Sequence, residues 1–168
     1  NVQFEISRNI IINIILFMND KYINIYNNLV NLTRNKDLYK DFKDQDTFSD
    51  RLIFFLLHFA FFLKVYKNEK NKEIYDYIFR FLELSIREIG YGDQSINKKM
   101  KNYLNLFYDM IDKIHNWEKV SNVEKQKRLS VFLNNTSDIP FLVNYFEKYR
   151  QNLLNNTLNY QIKGVIKP

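Results

Sequence analysis

The sequence predicts an all-α fold, a single compact domain of about six helices with short connections, and three observations carry that reading. Apolar residues recur at helical spacing over most of the chain. Only three Gly and two Pro punctuate 168 residues, too few for the turns of a hairpin-rich or barrel fold. Hydrophobic residues make up 46% and charged residues 26%, which supplies a core and excludes intrinsic disorder. The length fits one domain and leaves no room for a separate catalytic module.

Residues 1–18 hold the apolar run IIINIILFM, preceded by Arg8 as the only basic residue and followed by no small-residue cleavage site, so the run does not read as a secretory signal. Asn13 interrupts it and Asn19-Asp20 ends it, well short of the roughly 20 apolar residues a spanning helix needs. Residues 1–21 are therefore expected to pack against a helical domain spanning 22–168, or to dock at an interface or on a partner.

Tyr22, Ile25, Tyr26, Leu29 and Leu32 form the stripe of a first helix to about Arg34. A polar stretch, 35–46, follows. Thr47 with Asp50 three places later resembles a capping box and should open the next helix. Its body, LIFFLLHFAFFL at 52–63, is apolar except for His58 and too short to span a membrane, so it reads as the central buried helix.

Ile74, Ile78, Phe81, Leu82, Ser85 and Ile89 continue the period through 70–89, and Gly90 is the residue expected at a left-handed C-terminal cap. Tyr91-Gly92-Asp93 then makes a tight turn, with Asp93 or Ser95 capping a helix whose stripe runs Ile96, Met100, Tyr103, Leu104, Phe107, Ile111 and Ile114 to Trp117. Ser121 and Glu124 form a second capping box, opening a helix through Leu133. Asp138 and Pro140 start the last helix, which carries Phe141, Leu142, Tyr145, Phe146, Tyr149 and Leu153 inward.

The chemistry is sparse. Cysteine is absent, which removes disulfides, thiolate metal sites and thiol catalysis and fits a reducing compartment. Rossmann and P-loop cradles need clustered glycines that the chain lacks. His58 and His115 sit on different helices without a partner at metal-ligand spacing. His58 reads as a core histidine bonded to a backbone carbonyl or a carboxylate. Asp109 and Asp112 share a face on which nothing else converges, so they read as solvated. No metal or cofactor and no enzymatic activity is expected.

The net charge is +6 and the isoelectric point near 9.3. Abundant Asn, Lys and Ile beside a single alanine, Ala60, has the character of an AT-rich genome, so the charge is weak testimony for an anionic partner. Lys98, Lys99 and Lys101 crowd a helix start where the macrodipole disfavours cations. With Lys125, Lys127 and Arg128 they form a candidate basic patch for RNA, the ribosome surface or lipid headgroups, without helix-turn-helix spacing or an aromatic RNA-binding signature.

The blocks Asp46-Thr47-Phe48, Arg51, Leu57-His58 and Ile86-Arg87-Glu88-Ile89-Gly90-Tyr91-Gly92-Asp93 resemble the ubiquinol-cytochrome c chaperone family, with Ser95-Ile96, Lys98-Lys99-Met100-Lys101 and Phe107-Tyr108 in its following positions. Tyr26, Leu29-Val30, Thr33-Arg34 and Leu38-Tyr39 upstream and Leu133-Asn134-Asn135 downstream extend the likeness over about 22–154. The chain departs from the pattern at Lys43-Asp44-Gln45, at Asp50 and at Tyr108-Asp109-Met110.

The resemblance implies an assembly factor that binds newly made cytochrome b and supports assembly of ubiquinol-cytochrome c reductase (complex III). It places the protein in the bacterial cytoplasm beside the inner membrane, or on the matrix side in a eukaryote. Further partners so implied are a small assembly protein, the ribosome and the membrane surface, with no DNA. Asp46, Thr47, Arg51, His58, Arg87, Glu88, Gly90, Gly92 and Asp93 are the motif residues it assigns to client binding or structure. Read physically, Arg87 and Glu88 are expected to pair with each other's neighbours, or with Arg51 and Asp46 in a polar cluster holding three helices, and an exposed apolar groove lined by aromatic side chains to hold the client.

Overall fold

A helix that is apolar on every face must be covered on every face, and the 52–63 run is the element around which this molecule is arranged. The computed structural model describes residues 20–43, 47–90 and 92–163; the apolar run at 1–18, Asp46 and Tyr91 lie outside the described residues. The run belongs to α2 (Phe48–Val65), preceded by α1 (Ile23–Leu32) and followed by α3 (Asn71–Glu88), α4 (Asp93–Lys113), α5 (Asn122–Ser130), α6 (Ile139–Leu154) and α7 (Leu158–Lys163). The architecture is all-α, and no strand occurs among the described residues beyond one isolated bridge between Phe42 and Thr136. None of the described helices is long and apolar enough to cross a membrane.

α1, α4 and α6 all pack on α2. Every residue of α2 from Phe54 to Phe62 is buried, and aromatic rings interlock around it. Phe61 stacks on Phe146 at 5.2 Å and meets Trp117 edge-on at 5.2 Å, Phe59 stacks on Phe107 at 5.3 Å, and Tyr39 meets Phe54 at 5.3 Å. Each such ring contributes about 1.5–3 kcal/mol by leaving water, with a further increment from edge-to-face geometry.

The α2 start is as its capping box predicts. Thr47 Oγ1 accepts the Asp50 N–H at 3.2 Å and donates to the Asp50 carboxylate at 2.7 Å. That second bond matters because Asp50 is only 3% exposed, and a buried carboxylate needs donors. Ser121 likewise accepts the Glu124 N–H at 3.2 Å and Asp138 accepts that of Phe141 at 3.0 Å.

The structure corrects several details. α5 stops at Ser130 rather than Leu133. The 35–46 stretch, polar in composition, anchors the core through buried Leu38, Tyr39 and Phe42. Ile89, assigned to the buried stripe of α3, lies beyond the last helical residue and is 60% exposed, while Tyr77 and Phe79 are buried in its stead. Gly92, not Asp93 or Ser95, is the N-cap of α4, with no side-chain cap; the Ser95 hydroxyl turns back to donate to the Gly92 carbonyl at 2.9 Å. The short α7 packs on α1, where Asn24 donates to the Ile162 carbonyl at 3.0 Å.

Candidate functional site

The separate motif blocks of the sequence fold to one end of the bundle. Phe59 stacks on Phe107 and, one turn on, Leu63 and Ile111 line the same groove, so α2 and α4 run parallel. Continuing that register backwards sets Thr47 and Arg51 abreast of the first turns of α4, where Lys98, Lys99 and Lys101 lie. α3 runs the opposite way, Phe79 meeting Phe107 and Tyr75 meeting Tyr108, and so delivers Arg87, Glu88 and Gly90 to that same end.

What the motif residues do there differs from one to the next. Gly90 closes α3 at φ +104°, a conformation that a side chain would strain. Gly92 has an ordinary φ of −70° and no atom within 4 Å of the place a Cβ would take, so the fold does not require glycine there. Arg87 pairs with Glu83, a neighbour one turn back on its own helix, at 2.7 Å, while Asp46 of the expected cluster lies outside the described residues. Arg51 and Glu88 are exposed, and beside the motif positions stand two exposed apolar side chains, Phe48 at 43% and Ile89 at 60%.

His58 is a different kind of motif residue. It is fully buried, with Nδ1 2.6 Å from the Phe54 carbonyl and Nε2 2.7 Å from the Tyr145 hydroxyl. A carbonyl only accepts, so Nδ1 carries the proton and Nε2 accepts from Tyr145. Burial drives its pKa down to about 4, against a weaker opposing pull from the Phe54 carbonyl, and burial drives Tyr145 up to about 12. The imidazole is therefore neutral near pH 7 and ties α2 to α6, the core role its apolar surroundings predict.

The expected basic patch is not assembled. Lys125 is 8% exposed, 3.0 Å from Glu147, with its ammonium 5.4 Å above the Trp117 ring. Burial pushes the Glu147 carboxyl up, but the Lys125 hydrogen bond and charge and the Trp117 N–H outweigh it and hold the group below the usual carboxylate range. Arg128 pairs with Glu124 at 2.9 Å and donates to the carbonyls of Lys113 and His115, which places it at the far end of α4. At 1.5 Å per residue, about 18 Å of helix separates it from Lys101. Lys98, Lys101 and Lys127 are exposed, the first two at the motif end.

Sequence reasoning missed an apolar groove at the opposite end, of about 300 Å³, lined by Leu63, Lys64, Lys67, Ile111, Ile114 and His115. Its walls are aliphatic. An aromatic pair, Tyr75 of α3 and Tyr108 of α4, stands apart from this lining, with hydroxyls 3.1 Å apart. Asp109 and Asp112 are exposed, and no group of three or more metal-ligating side chains is found among the described residues.

Comparison with known proteins bears on this arrangement. The crystal structure of the Cbp3 homolog from Brucella abortus aligns with a TM-score of 0.64 over 94% of each chain at 21% identity, a likeness that shows the fold. No curated protein matches the sequence. The family model described as ubiquinol-cytochrome C chaperone matches residues 40–135, more than half the chain and inclusive of the motif blocks at 46–51 and 86–93. The chain, an all-α domain with those blocks gathered at one end, belongs to the ubiquinol-cytochrome C chaperone family.

Proposed function

We propose that this protein is a non-enzymatic assembly chaperone that holds newly made cytochrome b and supports assembly of ubiquinol-cytochrome c reductase (complex III), with the motif end as its client surface. One observation carries the choice of surface. The 86–93 block includes residues the fold does not consume: Ile89 is largely exposed, Glu88 faces solvent, and Gly92 has neither the backbone angle nor the crowding that would demand glycine. An exposed apolar side chain near the exposed glycines Gly90 and Gly92 suits close approach of another chain. Arg51, Lys98 and Lys101 at the same end add charge that steers encounter more than it adds affinity.

Such a holder works by reversible cover: exposed apolar contacts mask client segments until their final neighbours displace the chaperone. Its setting is the bacterial cytoplasm at the inner membrane, or the matrix side in a eukaryote, where a small assembly protein, the ribosome and the membrane surface are the further partners.

Crosslinked affinity purification from respiring cells, at low and high salt, tests this reading. Enrichment of cytochrome b over other membrane subunits that survives high salt supports it, because apolar contacts are not screened. Salt-sensitive recovery of ribosomes or RNA without cytochrome b refutes it.

A further inference from the structure

The groove at the end opposite the motif takes no part in the proposed client surface, and its chemistry specifies a ligand. Leu63, Ile111 and Ile114 give it aliphatic walls, and among the described residues no carboxylate lines it. The ionisable side chains that do line it are Lys64, Lys67 and His115. Lys64 is 15% exposed along its side chain, with its ammonium 3.1 Å from Glu118, so its stem serves as wall while its charge is already answered. Lys67 is exposed and supplies the cation at the mouth.

We propose that this groove binds a free single-chain anionic amphiphile, a fatty acid in form, with the hydrocarbon chain against Leu63, Ile111 and Ile114 and the carboxylate at Lys67. The volume lies at the lower limit of small-molecule pockets, about 300–1,000 Å³, which suits one unbranched chain. Charge complementarity selects the head group: a neutral alcohol leaves Lys67 unanswered, and an alkyl ammonium meets it with like charge. The groove lies away from the motif, so the inference stands or falls separately from the client reading.

The test titrates the full chain with hexanoate, octanoate, decanoate and dodecanoate below their micelle concentrations, followed by amide NMR shifts and calorimetry, with dodecanol as the neutral control. Each buried methylene is worth about fourfold in affinity at full burial, so binding should tighten severalfold for every two carbons and level off once the groove is full. Shifts should centre on 63–67 and 111–115. Lys67→Glu, a change at an exposed position that leaves the fold intact, should weaken dodecanoate about five- to tenfold and leave dodecanol unchanged. Ile111→Trp, which fills the groove, should abolish both. No binding at millimolar dodecanoate overturns the proposal. So do shifts centred elsewhere, equal affinity for acid and alcohol in the parent, or an effect of Lys67→Glu on both ligands alike. Photocrosslinking of a client or partner segment from position 111 that dodecanoate does not compete also overturns it, in favour of a peptide-binding groove.

Discussion

His58 offers the most quantitative test of the core. Its ring is buried between Phe146 and Tyr149, at centroid distances of 5.1 and 4.8 Å, and is held neutral with a pKa near 4 against an ordinary 6.5. In the unfolded chain the ring takes up a proton at the ordinary value. Because the folded value is the lower one, the unfolded state binds more protons between pH 6.5 and 4. The stability associated with neutral His58 is thus complete above pH 6.5 and lost as pH falls towards 4. At about 1.4 kcal/mol per tenfold in proton affinity, the loss is about 3 kcal/mol, a large share of the roughly 5–15 kcal/mol that holds an ordinary domain together. His58→Gln removes the titration while keeping a polar side chain able to meet Tyr145, at a fixed cost of about 1–3 kcal/mol from lost packing and imperfect hydrogen bonds. Urea unfolding of both proteins from pH 7 to pH 4 is the assay. Carboxylates common to both cancel in the difference, which should shrink by about 3 kcal/mol across that range, so that the curves converge or cross. A difference that stays constant with pH would refute the reasoning, since it would mean that the imidazole charges in place without cost.

Other outcomes follow from the same geometry. Thr47→Ala removes both the cap of α2 and the hydroxyl donor to buried Asp50, and should cost about 1–3 kcal/mol in a thermal or urea melt. Gly90→Ala forces a side chain into a positive φ and should cost about 1–2 kcal/mol, whereas Gly92→Ala should stay within about 0.5 kcal/mol of the parent and, on the proposed function, lower cytochrome b recovery. Lys125→Ala strips the partly buried Glu147 of one cation while leaving it Trp117 and Arg150, and should destabilise by about 1–2 kcal/mol, an effect that 1 M salt does not reproduce in the parent because a pair so little exposed is weakly screened.

The parts of this fold that sequence revealed are those written locally. The apolar run of α2 and the Thr47–Asp50 and Ser121–Glu124 boxes each depend on residues within a few turns, and the helix starts follow from them. Gly90 was legible for the same reason. Lys125 was not, because its partner Glu147 is 22 residues away on another helix and nothing in the α5 pattern separates a buried lysine stem from an exposed one. Ile89 kept the period of α3 but sits just past its end, where period no longer dictates burial. Asp93 lost the cap because α4 begins one residue earlier than a side-chain cap at that position requires, so Gly92 holds the N-cap with its backbone alone. The gathering of 47–51 and 87–92 at one end depends on the parallel course of α2 and α4, a tertiary fact that no local spacing encodes. The groove shares that limit, since Leu63 and Ile111 are ordinary apolar residues until the packing of α2 beside α4 brings them together.

Site-specific photocrosslinking locates the client surface. A photoreactive residue at position 89, at the motif end, is compared with one at Val131, an exposed apolar position on the segment following α5, in cells synthesising cytochrome b. A client surface at the motif end gives a cytochrome b adduct from position 89 that persists in high salt and is absent from position 131. Equal adducts from both positions, or none from 89 while cytochrome b still co-purifies with the chain, would contradict the placement of the client surface at the motif end.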